Sequence, residues 1–303
     1  MTNEIAVGAV VFQRAEKVRD LLDSIGKCSR IETVYIGDNG EITDRKREIY
    51  DREYPFKLNV LDLEYDSGLA DSRREIVERS SEPYLLIVDS DVEIPHNVSQ
   101  LKTILQHRPK LGAVGGVLIE TGRIRSECYD LFDQGPVLLK SIQRPNRIQD
   151  VSGLPLVEFD QIQNVAMFRR ECLEDYCWDP EYTIGWEHTD FFIAHKRQTK
   201  WSFGVCPEVM FRHYPGGDEN YRAKRKSWNR IHESKQYFLD KWEFEQVMIG
   251  ETSWLCSNSG VRSAREPIKS VGKRILSLLP PKVQTSAMNI RDLVRYYRGQ
   301  PPA

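Results

Sequence analysis

Through residue 88 the chain alternates short apolar runs with one-faced helical patterns, and this alternation limits its possible folds more than any other feature. Residues 5–12 read as a strand. Val18, Leu21, Leu22 and Ile25 then recur at i, i+3, i+4 and i+7 up to Gly26, the spacing of a helix with one buried face and a glycine stop. The pattern repeats with an apolar run at 33–36 before Gly37-Asp38-Asn39-Gly40, another at 58–63 before Gly68, a helix over 69–79, and the run 84–88. Strands joined through helices line up in parallel, with helices on both faces of the sheet. Ligands of such α/β sheets lie at the carboxyl ends of the strands, so the polar residues placed there are the candidates for chemistry.

After residue 120 the strand-like pieces shorten (136–140, 155–159, 165–168) and polar turns separate them, which predicts a mixed or antiparallel second half. A helix over 186–197, a strand over 201–205 and a loop carrying His213 and Pro215-Gly216-Gly217 follow, and from 218 onward the chain reads as helical and basic. The expected organisation is an α/β half (1–120), a second half (121–217) and a helical extension (218–303). With 43 Lys and Arg against 45 Asp and Glu the net charge is −2, and no recognition motif for nucleic acid is present. No run of about 18 apolar residues exists, and the start is a poor signal peptide, so a cytoplasmic location is expected. The six Cys are scattered without metal-ligand spacing and read as reduced structural thiols.

Asp89-Ser90-Asp91 directly follows the strand at 84–88. Two carboxylates at i and i+2 on a strand end repel one another unless a cation or hydrogen-bond donors lie between them. A hard divalent ion, Mn²⁺ or Mg²⁺, suits the position, because such ions take one or two carboxylates and complete their shell with water and diphosphate oxygens. A solvated turn is the alternative, since Asp and Ser favour turns in any case.

In its context this motif resembles that of the family 2 glycosyltransferases, which have the GT-A fold: a Rossmann-like nucleotide-binding half with a mostly parallel sheet, fused to a mixed-sheet acceptor half. Several stretches match in order. Residues 6–13 stand where the family has its first strand, with Phe12-Gln13-Arg14 in place of Pro-Thr-Tyr-Asn. Gly37-Asp38-Asn39-Gly40 is similar to an Asp-Asp-Gly-Ser turn that keeps only its second Asp, and Gly68-Leu69-Ala70-Asp71-Ser72-Arg73 to the Gly-Leu-Ala-x-x-Arg segment. Residues 165–170 resemble the strand ending in Arg-Arg. Trp178-Asp179-Pro180 leading to Gly185-Trp186-Glu187-His188-Thr189-Asp190 resembles Phe-Asp-Glu…Gly-x-Glu-Asp-x-Asp.

The resemblance implies a metal-dependent inverting transferase that moves a sugar from a nucleotide-sugar donor, UDP-linked as a first guess, to a hydroxyl of a glycan or lipid-linked glycan. It assigns Phe12, Asp38, Arg73, Asp89 and Ser90 to the nucleotide-sugar and Asp91 to the metal, with His213 as a further protein ligand. Asp38 accepts from a base N–H or is a turn-forming Asp, and Arg73 is a fixed cation in the pocket or a solvated helix residue. The catalytic base is sought among Glu187, His188 and Asp190 at a helix N-terminus that favours carboxylates. The family's usual base position is held here by His188, so the assignment stays open, with Glu187 and His188 favoured as a pair. A sugar nucleotidyltransferase and a decayed carbohydrate-binding scaffold are the rival readings. The first would carry a glycine-rich loop after the first strand, which Phe12-Gln13-Arg14 lacks.

Residues 261–303 hold nine Arg and Lys against two acids, a net +7. Ile268, Val271, Ile275, Leu278 and Leu279 recur there at helical spacing beside Lys269, Lys273 and Arg274, a pattern suited to the surface of an anionic membrane or to packing on the globular body. The protein is accordingly expected in the cytoplasm, with a peripheral place on the membrane face open to it.

Overall fold

The computed structural model describes residues 4–121, 123–142, 148–217, 219–225, 227–250 and 253–256. It opens with the expected alternation: β1 (Ile5–Val11), α1 (Ala15–Ile25), β2 (Thr33–Asp38), α2 (Asp44–Tyr50), β3 (Lys57–Asp62), α3 (Leu69–Arg79) and β4 (Tyr84–Asp89). β1 pairs in parallel with both β2 and β4, and β2 with β3. Every residue of β1 is buried, and its side chains alternate between faces. Val7, Ala9 and Val11 pack in one core with Leu21 and Leu22 of α1, while Ala6 and Val10 join Ile76 of α3 in the other. The periodicity gave no sign of α2, which is only seven residues long with a single buried apolar residue, Ile49. Its start is fixed by Thr43, whose hydroxyl accepts from the Lys46 amide.

β5 (Val92–Glu93), α4 (Ser99–His107) and β6 (Leu111–Glu120) follow. Gly112, Gly115 and Gly116 dilute the apolar pattern of β6, which is why it gives no clear strand signal. A side chain at 116 would meet the Val209 carbonyl at 2.3 Å. The next stretch adds β7 (Arg123–Glu127), β8 (Asp130–Gln134), β9 (Val137–Ser141), β10 (Gln149–Val151), β11 (Leu154–Phe159), β12 (Ala166–Arg169), α5 (Arg170–Asp175), α6 (Glu187–Gln198) and β13 (Ser202–His213). The main sheet runs β10-β11-β13-β6-β12-β4-β1-β2-β3, so both halves share it. β12 lies antiparallel between β4 and β6, and β13 is parallel to β6. Strands β1, β2, β3, β4, β6 and β13 therefore all end at one edge, which gathers Phe12, Asp38, Asp89, Glu120 and His213.

Beyond 218 the chain is not helical throughout. After α7 (Glu219–Arg225) and α8 (Trp228–Trp242) come β14 (Gln246–Ile249), which joins β8 and β9 in a small second sheet, and β15 (Ser253–Cys256), which pairs with β7. Residues 261–303 lie outside the described residues. No helix among the described residues is long and apolar enough to cross a membrane. Among the described residues Cys28, Cys128, Cys172, Cys177 and Cys206 are unpaired thiols.

Candidate active site

β4 ends at Asp89, and the turn Ser90-Asp91 leads directly into β5. Oδ2 of the buried Asp91 lies 2.6 Å from Nη1 of Arg14 and 3.5 Å from Nε2 of His213. The sequence suggested a loop at His213, but β13 continues to it and pairs antiparallel with β5, His213 opposite Val92, which sets the imidazole beside Asp91. Pro207 breaks the regular pattern inside a register shift between Val205 and Met210, so the strand reads from sequence as shorter than it is. Nδ1 of His213 lies 3.2 Å from Oε2 of Glu120. Burial alone would raise the pKa of Asp91, but the His213 hydrogen bond and the Arg14 charge outweigh it and lower the value. For His213 burial acts downward, and its contacts with Asp91 and Glu120 overcome it and raise the pKa.

Arg14 is the N-cap residue of α1, in the left-handed region at φ 76°, and its side chain does not cap the helix. Besides Asp91, it donates to the Ser90 hydroxyl at 2.8 Å and to the Gly216 carbonyl at 3.0 Å, and its guanidinium lies 4.3 Å from the centre of the Tyr221 ring. α7 makes further contacts at the same edge. Arg225 is 5.1 Å from the Phe12 ring, Lys224 pairs with Asp66 at 3.1 Å, and the Phe12 and Tyr65 rings are 5.6 Å apart. The Nε–H groups of Arg14, Arg73 and Arg225 are buried without a hydrogen-bond partner.

Asp38 ends β2 with no solvent exposure. Its Oδ1 accepts from Lys46 Nζ at 2.7 Å and from the Gly40 amide, and its Oδ2 from the Tyr50 hydroxyl at 2.6 Å. Burial pushes its pKa up, against the pull of Lys46. Lys46 also donates to the Phe12 carbonyl at 3.1 Å, and a Cβ on Gly40 would lie 1.3 Å from that carbonyl oxygen, so only glycine fits. The carboxylate is thus buried, with its oxygens taken by Lys46, Gly40 and Tyr50, which differs from the expectation of direct contact with a base N–H.

Arg73 is 1% exposed and bridges two elements: its guanidinium is 3.4 Å from Asp89 and 3.2 Å from Glu187 at the start of α6. It is not the solvated helix residue that its neighbours Arg74 and Glu78 suggested. Oε2 of Glu187 is buried without a partner. His188 lies 2.6 Å from the Ile162 carbonyl through Nε2, which makes that nitrogen the donor and leaves the buried Nδ1 as an unpartnered acceptor. Burial, then Arg73, lowers its pKa to about 3, so the ring is neutral near pH 7. Asp190 does not join them. Its carboxylate, without solvent exposure, accepts from the Tyr176 and Tyr182 hydroxyls and the Trp242 indole and pairs with Lys241, so it anchors α6 to α8 and has no capacity left for a substrate proton.

The model of the family described as glycosyl transferase family 2 matches residues 7–177, more than half of the chain. The chain belongs to glycosyl transferase family 2. Among solved structures it is similar to S. aureus TarS 1–349 in complex with UDP-GlcNAc, at 14% identity and a TM-score of 0.51 over 78% of this chain and 66% of that one. It is also similar to GalNAc-T7 with UDP, GalNAc and Mn²⁺, at 16% identity and a TM-score of 0.53 over 78% of this chain and 50% of that one. The family 2 chain thus spans about two thirds of that TarS chain and half of the GalNAc-T7 chain. No curated protein matches it. The likeness shows the GT-A fold.

A divalent ion fits this family 2 site in donor chemistry. Asp91 offers a carboxylate and His213 an imidazole nitrogen beside it, and Glu120 on Nδ1 fixes the tautomer, as metal-bound histidines commonly require. Among the described residues no three His, Cys, Asp or Glu side chains form a complete metal cluster, so diphosphate and water would fill the remaining positions. Sequence reasoning missed Lys46, Tyr50 and Glu120 as members of the site and met Arg14 only as a departure from the family pattern; it left Tyr221 and Arg225 open between approach to a diphosphate and a solvated helix surface. The signal it had for the missed residues was the capping Thr43 ahead of Lys46.

Proposed function

We propose that the chain transfers a sugar from a UDP-sugar to a hydroxyl of a glycan or lipid-linked glycan, with inversion and with Mn²⁺ or Mg²⁺ held by Asp91 and His213. The observation that carries this reading is the line Asp89–Arg73–Glu187, which ties the donor turn to the first turn of α6 through one buried guanidinium. Arg14, Arg73 and Arg225 each keep an unpartnered Nε–H near the Asp89–Asp91 turn, a donor set suited to a diphosphate. When bound, the ion neutralises charge developing on the departing diphosphate. The exposed Tyr65 offers a ring face to the base, with the buried Phe12 ring 5.6 Å from it as support, and Asp38 acts on that pocket through Lys46 and the Phe12 carbonyl. The Ser90 hydroxyl keeps Arg14 oriented.

Arg73 fixes Oε1 of Glu187, and Oε2 takes the acceptor proton. His188, a weak base at a pKa of about 3, orients the acceptor through Nδ1 and is not the proton carrier. The ligands of the TarS and GalNAc-T7 complexes support UDP and Mn²⁺. Residues 261–303, net +7, give the enzyme a peripheral place on the cytoplasmic membrane face. The test is incubation with a panel of UDP-, GDP- and dTDP-sugars and a glycan acceptor with Mn²⁺, following nucleotide release and the anomeric configuration of the product by NMR. Inverted product from a UDP-sugar is expected. Absence of both metal-dependent nucleotide binding and turnover would favour the scaffold reading.

A further inference from the structure

Arg14 touches four segments that otherwise meet only at the sheet edge. Its backbone caps α1, while its side chain reaches Asp91 at 2.6 Å, Ser90 at 2.8 Å, the Gly216 carbonyl at 3.0 Å and the Tyr221 ring at 4.3 Å. The same Oδ2 of Asp91 faces His213 Nε2. An ion bonded to that oxygen at about 2.1 Å, with a guanidinium nitrogen 2.6 Å from the same atom, would set a dication and a cation within about 5 Å of one another. Two such charges in a largely buried corner do not share one carboxylate oxygen without strong repulsion.

Resting on the metal site proposed above, we infer that Arg14 is a clasp that occupies the ion's place on Asp91 and must leave it when the ion binds, releasing Gly216 and Tyr221 as it goes. Arg14 is then a positioning residue that sets the affinity of the site for a divalent ion and links ion loading to release of the segment 214–225. Linkage is reciprocal: whatever loosens the clasp tightens ion binding, and the ion loosens the clasp. The left-handed backbone of Arg14 fits this role, because a non-glycine residue holds φ 76° only where its surroundings fix it.

The experiment titrates Mn²⁺ alone, without nucleotide, into the full chain and reads free Mn²⁺ by electron paramagnetic resonance, while trypsin cleavage within 214–225 is followed with and without the ion. Arg14→Gln is expected to bind Mn²⁺ about tenfold tighter than wild type, equivalent to 1.4 kcal/mol, and Arg14→Gln/Asp91→Asn to lose that gain. Cleavage of wild type should accelerate on Mn²⁺ addition. Tyr221→Ala, which removes the ring against the guanidinium, should move affinity in the same direction by less and serves if Arg14→Gln fails to fold. Affinity equal to or weaker than wild type in these variants, with Asp91→Asn still abolishing binding, overturns the clasp and leaves the metal site standing. Mn²⁺ binding untouched by Asp91→Asn, or absent from every protein, overturns the metal-site reading and the clasp with it.

Discussion

Asp38 and Asp91 both stand where a parallel strand leaves the sheet, both are buried, and both touch a cation, yet they are held in different ways. The partners of Asp38 are Gly40, Lys46 and Tyr50, all within its own strand-to-helix unit. Those of Asp91 are Arg14 and His213, contributed by segments that meet only at the sheet edge. A carboxylate held by its own βα unit is part of the fold, whereas one held by distant segments can exchange partners. α6 repeats the contrast within one turn: Asp190 has four donors around it, while Glu187 keeps one oxygen without a partner.

The contrast is most exposed at Asp38. Asp38→Ala leaves Lys46 buried without its counter-charge and should cost about 3–5 kcal/mol of stability in a urea titration. Unchanged stability with lost UDP affinity would make Asp38 a direct donor contact and break the comparison. Next, Glu187→Gln should lower kcat by about a hundredfold or more while UDP affinity stays within a small factor of wild type. Asp190→Asn should show itself first as a lowered melting temperature, and the reverse pattern would exchange the two roles. Asp91→Asn is expected to remove about 2 kcal/mol of transition-state stabilisation, roughly thirtyfold in kcat/KM, with the melting temperature unchanged.

The smallest effect concerns Lys140, which donates to Thr189 of α6 and is brought by burial to a pKa of about 7 from an ordinary 10.5. Between those values the unfolded chain binds more protons than the folded one, so folding stability rises with pH in that window. Wild type should gain about 1 kcal/mol relative to Lys140→Met between pH 7 and 8, read from denaturant titrations at each pH. Parallel curves for the two proteins would show that Lys140 is solvated.

Much of this arrangement is legible in the sequence, and the parts that are not have physical reasons. β1, α1 and α3 follow from apolar periodicity, which also finds α6, because each buries a regular stripe or run. β6 is hidden because close approach to β13 requires glycine at 116, and the last part of β13 because Pro207 interrupts it. Of the site, the Asp89-Ser90-Asp91 turn and Glu187 stand out by motif. Lys46 and Tyr50 do not, since α2 is too short to carry a periodic face, and Glu120 does not, since its partnership with His213 depends on two strands being neighbours. Arg14 stands where the sequence departs from the family pattern, and its side chain is the one that reaches Asp91, Ser90 and Gly216.

The central claim is that Asp91, and not Asp38, is the carboxylate through which a metal and a nucleotide bind together. Isothermal titration of UDP into wild type and Asp91→Asn, each in Mn²⁺ and in EDTA, tests it most directly. Mn²⁺ is expected to tighten UDP binding to wild type by at least about tenfold, and Asp91→Asn to erase the difference. Equal UDP affinity in all four titrations would contradict the claim.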